Sequence, residues 1–234
     1  MSVPDIRAVL FDVFGTVVDW RGSLILDLSA WGASRSIAAD WAALADAWRG
    51  AYAPSMDAVR HGARPWTVLD DLHRDSLRRL LPRFGLSDLS DADLDHINRV
   101  WHRLHPWPDS VAGLARLKRA RVVAALSNGN VALLVDMAKH AGLPWDMVFG
   151  ADLFRHYKPD EGTYLGACAL LGLPPARVLM AAAHAGDLAS ARRLGLRTAF
   201  IARPLEHGPG GAAEPSGDWD LSVASIGELA ERLG

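Results

Sequence analysis

The sequence has 234 residues and a single cysteine. One thiol excludes an internal disulfide and fits a reducing compartment. Cys168 lies in the apolar run 165–173, where it reads as a small buried hydrophobe. There is no excess of either charge, since Lys and Arg total 25 and Asp and Glu 27, and the basic residues are scattered, so no nucleic-acid footprint is expected. No uninterrupted apolar stretch reaches the roughly 18 residues that a membrane span needs. Residues 1–6 contain Pro and Asp and no apolar core of a secretory signal, so the expectation is a cytoplasmic globular protein. Internal repeats are also missing. A chain of this length buries enough surface to fold without a disulfide or metal staple.

What is present divides into two textures. Residues 7–11 (RAVLF) form a short apolar run followed by Asp12 and Gly15-Thr16, which reads as a buried parallel strand and a loop. From residue 20 to 104 the apolar positions recur at threes and fours: Trp41, Leu44, Ala45, Trp48; Leu69, Leu72, Leu77, Leu80; Leu94, Ile97, Val100, Trp101. That spacing places them on single helix faces. No strand is predicted there, and Ser90 with Asp93 forms a candidate capping box. After residue 105 strands alternate with helices: strands at 121–126, 147–150, 177–182, 198–202 and 221–223, helices at 111–117, 131–140, 160–171, 188–194 and 226–233, and a Gly/Pro/Ala loop at 208–217. Repeated βα units imply a parallel sheet covered on both faces. The predicted fold is therefore α/β: a doubly wound, Rossmann-like sheet built from 1–19 and 105–234, with an all-helical cap domain, 20–104, inserted after the first strand.

In such sheets ligands bind beyond the carboxyl ends of the strands. Four strand ends here carry polar groups: Asp12 to Thr16, Ser127-Asn128, the segment at Lys158, and His184 to Asp187. Each alone is an ordinary polar loop. As an ordered set, Phe11-Asp12-Val13-Phe14-Gly15-Thr16, Leu126-Ser127-Asn128-Gly129, Tyr157-Lys158-Pro159 and Asp187 with Gly195-Leu196-Arg197-Thr198 resemble the four motifs of the haloacid dehalogenase superfamily. The resemblance spans the whole chain, helical insert included.

Most similar members of that superfamily are magnesium-dependent phosphatases, and a small-molecule phosphatase is the alternative function. Their second acid, two residues after the nucleophile, is replaced here by Phe14, which cannot donate a proton. Their early acid in the fourth motif falls at Ala183. Too few hard oxygen ligands remain for Mg²⁺. The pattern is similar instead to the L-2-haloacid dehalogenases, which need neither metal nor cofactor because halide leaves without a proton. The resemblance then implies that Asp12 attacks the α-carbon of a short 2-haloalkanoate, expels halide, and forms an ester that water hydrolyses to a 2-hydroxy acid. Hydrolysis of another small substrate, or a non-catalytic relative, are the competing readings; joint retention of Asp12, Lys158 and Asp187 disfavours the latter.

The resemblance also assigns roles. Lys158 keeps Asp12 ionised, and Thr16 hydrogen-bonds Asp12 or the substrate. Ser127 holds the substrate carboxylate, Asn128 donates to the halide, and Phe14 lines the pocket. Asp187 positions Lys158 or the water, and Tyr164 is either a pocket residue or a core aromatic. His184, where the family often has Asn, either activates water with help from Asp187 or bridges two loops. The family's cap arginine, by register from Trp48-Arg49, falls near Ala42; Arg21 is the replacement candidate and Arg60 a second. Most of the nine Trp residues are expected in packing, one or two of them walling a dry pocket. The expected partners are the small-molecule haloacid and halide, with no nucleic acid and no membrane. Family members are commonly dimers, so a homodimer is left open.

Overall fold

The computed structural model describes residues 5–209 and 217–234. The chain order is β1 (Ala8–Phe11), β2 (Val18–Asp19), α1 (Trp20–Ser34), α2 (Trp41–Gly50), α3 (Tyr52–Arg60), α4 (Leu69–Leu80), α5 (Asp91–Asn98), β3 (His105–Pro106) and α6 (Ser110–Lys118). It continues with β4 (Val122–Ser127), α7 (Val131–Ala141), β5 (Met147–Gly150), α8 (Ala151–Phe154) and α9 (Glu161–Leu170). The last elements are β6 (Val178–Ala182), α10 (Ala185–Arg193), β7 (Arg197–Ile201), β8 (Leu221–Val223) and α11 (Ile226–Leu233). The loop predicted at 208–217 falls mostly outside the described residues.

Six strands form one sheet in the order β5-β4-β1-β6-β7-β8. Every pair is parallel. Because β1 pairs with β4 on one side and β6 on the other, the winding direction reverses at β1. Phe11 is in register with Ala125 and with Ala181, so the segments after all three strands open on one edge. This is the switch-point crevice of doubly wound sheets.

The strands are buried on both faces and alternate between two cores. Ala8 and Leu10 pack with Tyr164, Met180 and Leu188, whereas Val9 and Phe11 join the opposite cluster. That second cluster runs without a break through Phe14, Val17 and Trp20 into Trp48, Leu72 and Trp101 of the helical block. The predicted helical texture of 20–104 holds, with two further helices, α1 and α3; Trp20, Leu24, Leu28 and Trp31 of α1 are buried along one face. Asp19 and Asp40 cap α1 and α2 through their side chains, and Ser90 with Asp93 forms the predicted capping box. Helix α7 closes on Gly142 at φ 67°, a left-handed conformation that glycine adopts at least cost.

One feature was not legible in the pattern. The two chain segments that leave and re-enter the sheet domain pair with each other, Val18 with Pro106 and Asp19 with His105, in an antiparallel ribbon. Two-residue strands give no periodic signal. Further ties between the helical block and the sheet elements are the Arg60–Asp160 ion pair at 2.9 Å, the Tyr157 hydroxyl on the Thr67 carbonyl at 2.6 Å, and His102 between Asp70 and Asp136, both at 2.9 Å.

Candidate active site

The loop after β1 puts Asp12 at the sheet edge with only 7% of its surface exposed. Gly15 lets the chain turn at φ 83°, and it also leaves space for Glu206, whose Oε1 would lie 2.1 Å from any Cβ there. The loop is fixed from behind by three donors. Trp107 Nε1 binds the Gly15 carbonyl at 2.8 Å, and Arg203 Nε binds the Thr16 carbonyl at 2.8 Å while its fork holds Asp109. The Thr16 hydroxyl donates to Asp12 Oδ2 at 2.7 Å and accepts from the backbone N–H of Ala183 at 2.9 Å.

Lys158 comes from the segment after α8 and is 9% exposed. Its Nζ lies 2.9 Å from Asp12 Oδ1 and also contacts Asp187 Oδ2. Burial alone would push Asp12 up, but the Lys158 charge and the His184 hydrogen bond and charge hold it far below the ordinary carboxylate range. The same attractions outweigh burial at Lys158, whose ammonium is raised above its ordinary value by Asp12 and Asp187. Asp12 is thus an ionised carboxylate in a nearly dry site, neutralised by an ammonium.

The His184 ring nitrogens meet two carboxylates: Nδ1 is 2.9 Å from Asp12 Oδ2, and Nε2 is 2.9 and 3.1 Å from the two Glu206 oxygens. Burial lowers the imidazole, but hydrogen bonds to Asp12 and Glu206, then their charges, lift it to about 10. Ionised carboxylates only accept, so both nitrogens must donate and the ring is an imidazolium. Burial works to raise Glu206, yet His184, Arg49 and His207 hold it low. Trp20 Nε1 completes its shell at 3.2 Å.

Of the remaining predicted residues, Ser127 is buried with its Oγ accepting from the Gly129 N–H at 3.2 Å, and Asn128 Oδ1 accepts from the Lys158 N–H at 2.7 Å. Phe14 is buried with its ring edge-on to Tyr52 and Trp101, at 6.3 and 5.6 Å. Tyr164 is fully buried in the core, and its hydroxyl donates to Asp187 Oδ1 at 2.6 Å.

Three expectations are corrected. The partner of His184 is Glu206 rather than Asp187, because Asp187 sits in the first turn of α10 with its oxygens taken by Lys158 and Tyr164. Arg21 is not brought to Asp12; its guanidinium grips Asp46 at 2.7 and 2.8 Å on the surface. Arg60 is likewise committed, to Asp57 and Asp160. The arginine that faces the site is Arg49, stacked 4.3 Å from the Tyr52 ring and 5.3 Å from the Trp20 ring. Its Nη1 is buried and has no described partner. Arg49 also lines an open depression of about 430 Å³ with Trp20, Asp46, Gly50 and His207. Behind it, His73 and Trp101 stack at 4.3 Å, and both His73 nitrogens and Trp101 Nε1 are buried without a described partner. Neither Arg49 nor Glu206 lies in a motif that marks it, and Glu206 reaches His184 and Trp20 from 22 and 186 residues away.

The donor set does not fit a divalent cation at Asp12. Both Asp12 oxygens are bonded by Lys158, Thr16 and His184, and Phe14 and Ala183 offer no side-chain oxygen. Among the described residues no group of three His, Cys, Asp or Glu side chains forms a metal site.

A parallel sheet with a helical insert and an Asp–Lys–Asp cluster at its switch point defines the class, and the sequence agrees: the chain belongs to the haloacid dehalogenase-like hydrolase family, whose sequence model matches residues 6–195. Within it, the chain is 31% identical over 246 aligned positions to (S)-2-haloacid dehalogenase 4A of Burkholderia cepacia, covering 97% of this chain and 100% of that one. The solved structure of the L-2-haloacid dehalogenase PA0810 superposes with a TM-score of 0.95 at 54% identity, covering 97% of this chain and 98% of that one. That of the defluorinating L-2-haloacid dehalogenase Rha0230 gives a TM-score of 0.95 at 48% identity over 97% and 95% of the two chains.

Proposed function

We propose that this protein hydrolyses short 2-haloalkanoic acids to 2-hydroxy acids, as an (S)-2-haloacid dehalogenase, through an ester on Asp12. The observation that carries this reading is the lone ionised Asp12 paired with the Lys158 ammonium, with no acid at position 14 or 183. An anion so placed is suited to displacing a leaving group that needs no proton. Phosphoryl transfer by the magnesium-dependent route would need both missing acids, which makes the phosphatase alternative the weaker one.

In this mechanism Asp12 attacks the α-carbon in line, the C–O bond forms, and the C–X pair departs with the halide. Thr16 and Lys158 hold the carboxylate in its attacking orientation. Asp187, tied to Tyr164, positions Lys158. The Ser127 hydroxyl and the loop N–H groups take the substrate carboxylate. Asn128 and Arg49 receive the halide, with Arg49 in the place first given to Arg21, and Phe14, Tyr52 and Trp20 wall the reacting centre. The displacement inverts the substrate carbon; water then attacks the ester carbonyl and regenerates the Asp12 carboxylate, with His184, no longer held protonated by the Asp12 charge once the ester has formed, as the base. Residues 20–104 act as the cap over the core of 1–19 and 105–234. No helix among the described residues is long and apolar enough to cross a membrane; the reading is of a cytoplasmic enzyme whose oligomeric state is open.

The test is halide release from fluoro-, chloro- and bromoacetate and from both 2-chloropropionate enantiomers, with and without EDTA. The expected result is release from the (S)-enantiomer and the haloacetates that EDTA does not change. Phosphate release from a generic ester, abolished by EDTA and without any halide release, overturns it.

A further inference from the structure

Asn130 is the N-cap residue of α7, yet its side chain does not cap that helix. Asparagine in this position ordinarily accepts from the N–H groups of the first turn. Here Asp152 Oδ1 takes the Val131 N–H instead, at 2.9 Å. The Asn130 amide is spent on Asp70, at the start of α4 in the helical block. Its Nδ2 donates to Asp70 Oδ2 at 2.9 Å, and its Oδ1 accepts from the Asp70 N–H at 3.3 Å. Asn130 is buried, so the pair is shielded from competing water.

We propose that Asp70 is a positioning residue for the displacement step, holding through Asn130 the segment that presents Ser127 and Asn128 to the substrate. This rests on the haloacid reading above, in which Ser127 takes the carboxylate and Asn128 the halide.

The segment has little slack between its ties. The Ser127 Oγ accepts from the Gly129 N–H at 3.2 Å, and the Gly129 carbonyl accepts from the Ala151 N–H at 3.1 Å. Asn128 Oδ1 accepts from the Lys158 N–H at 2.7 Å, which fixes the plane of the amide and so the direction of Nδ2. A shift at Asn130 therefore moves the halide donor two residues away. A donor aimed at a departing group loses much of its effect when displaced by a fraction of a bond length.

Asp70 is itself held from three sides. Its Oδ1 is 2.9 Å from His102 Nε2, and His102 Nδ1 is 2.9 Å from Asp136 Oδ2 on α7. Asn98 Nδ2 donates to the Asp70 carbonyl at 3.0 Å. An imidazole between two carboxylates donates from both nitrogens. Burial lowers the His102 ring, but the hydrogen bond and charge of Asp70, then the hydrogen bond of Asp136, raise it. Burial works to raise Asp70, and the His102 bond and charge and the Asn130 bond hold it low. Asn130 thus donates to an anion, a stronger bond than one between neutral groups. A tie that only joined the helical block to the sheet would be complete with the His102 bridge to Asp136. The Asn130 pair is additional, and it lands beside the substrate-binding residues.

The experiment is single-turnover halide release and decay of the Asp12 adduct, with chloroacetate and bromoacetate, in wild type, Asp70→Ala, Asn130→Ala and the double variant. Asp70→Ala should slow chloride release by about a hundredfold, the scale of a misplaced reacting group. Bromide release should suffer less, because a better leaving group leans less on the donor. Hydrolysis of the adduct should change far less than either, since the halide has then gone. The double variant should be no slower than the slower single one, because the two residues act in series. Asp70→Asn, which keeps an acceptor for Asn130, should recover most of the loss. Equal losses for chloride and bromide, equal slowing of both steps, or losses that multiply in the double variant overturn the inference and leave a structural tie. Should Asp70→Ala fail to fold, the chloride-to-bromide split is read from Asn130→Ala with the same two outcomes. Wild type that releases neither halide overturns the haloacid reading and this inference with it; a wild type that turns over beside variants without the split overturns the inference alone.

Discussion

The Lys158 ammonium lies 2.9 Å from Asp12 Oδ1, both groups being less than one-tenth exposed. A charge pair in so dry a place stands only because each ion also has other partners: Thr16 and His184 on Asp12, Asp187 on Lys158. Removing one member leaves the rest uncompensated. Lys158→Met should therefore abolish halide release and also destabilise the fold by about 3–5 kcal/mol, read from urea unfolding. A variant as stable as wild type would show that the pair carries little of the site's electrostatics.

Asp12→Asn keeps the shape of the nucleophile and removes its charge. Halide release should fall by on the order of 10⁴-fold or more, and no adduct should form on the loop peptide after incubation with chloroacetate. An adduct on another residue would relocate the nucleophile.

Arg49 and Arg21 make opposite predictions. Arg49 is stacked on two aromatic rings with a buried Nη1 that has no partner among the described residues, whereas Arg21 pairs with Asp46 at the surface. Arg49→Leu should lower kcat/KM for chloroacetate by about a hundredfold, the scale of a lost charge-assisted contact. Arg21→Leu removes only an exposed ion pair, of the kind that contributes little, and should shift kcat/KM far less. Equal losses would return Arg21 to the site.

His73 predicts acid lability. It is 2% exposed with neither ring nitrogen hydrogen-bonded, and burial depresses it to about 3 from an ordinary 6.5, with Asp70 opposing and Arg49 and His102 adding to the shift. The folded protein holds the ring neutral while the unfolded chain protonates it below about 6.5. The favourable difference is thus complete above that pH and is lost progressively as pH falls toward 3. Comparing unfolding midpoints at pH 7 and pH 5, wild type should lose more stability than His73→Phe. Equal losses would show that the acid sensitivity arises elsewhere.

Much of this site was legible before any folding was considered. Asp12, Thr16, Ser127, Asn128, Lys158, His184 and Asp187 all follow strands or sit on the same strand edge, and a parallel sheet must bring such positions together. Local turn chemistry was legible too, as at Ser90–Asp93 and Gly142. The partnerships were harder. His184 and Asp187 are three residues apart and invite pairing, yet Asp187 is turned toward Lys158 by its place in the first turn of α10. Glu206 has no motif around it, and Arg49 is one of many arginines on amphipathic helices.

The sequence by itself determined the alternation of strands and helices, the helical insertion after the first strand, and the absence of acids at positions 14 and 183. Those are properties of residue type and spacing, which survive whatever the chain does in space. Only the tertiary structure decided that Glu206 meets His184 across 22 residues and that Arg49, not Arg21, keeps a buried nitrogen without a partner among the described residues. Burial and pairing are relations between distant segments, and the energy of a charge depends on both.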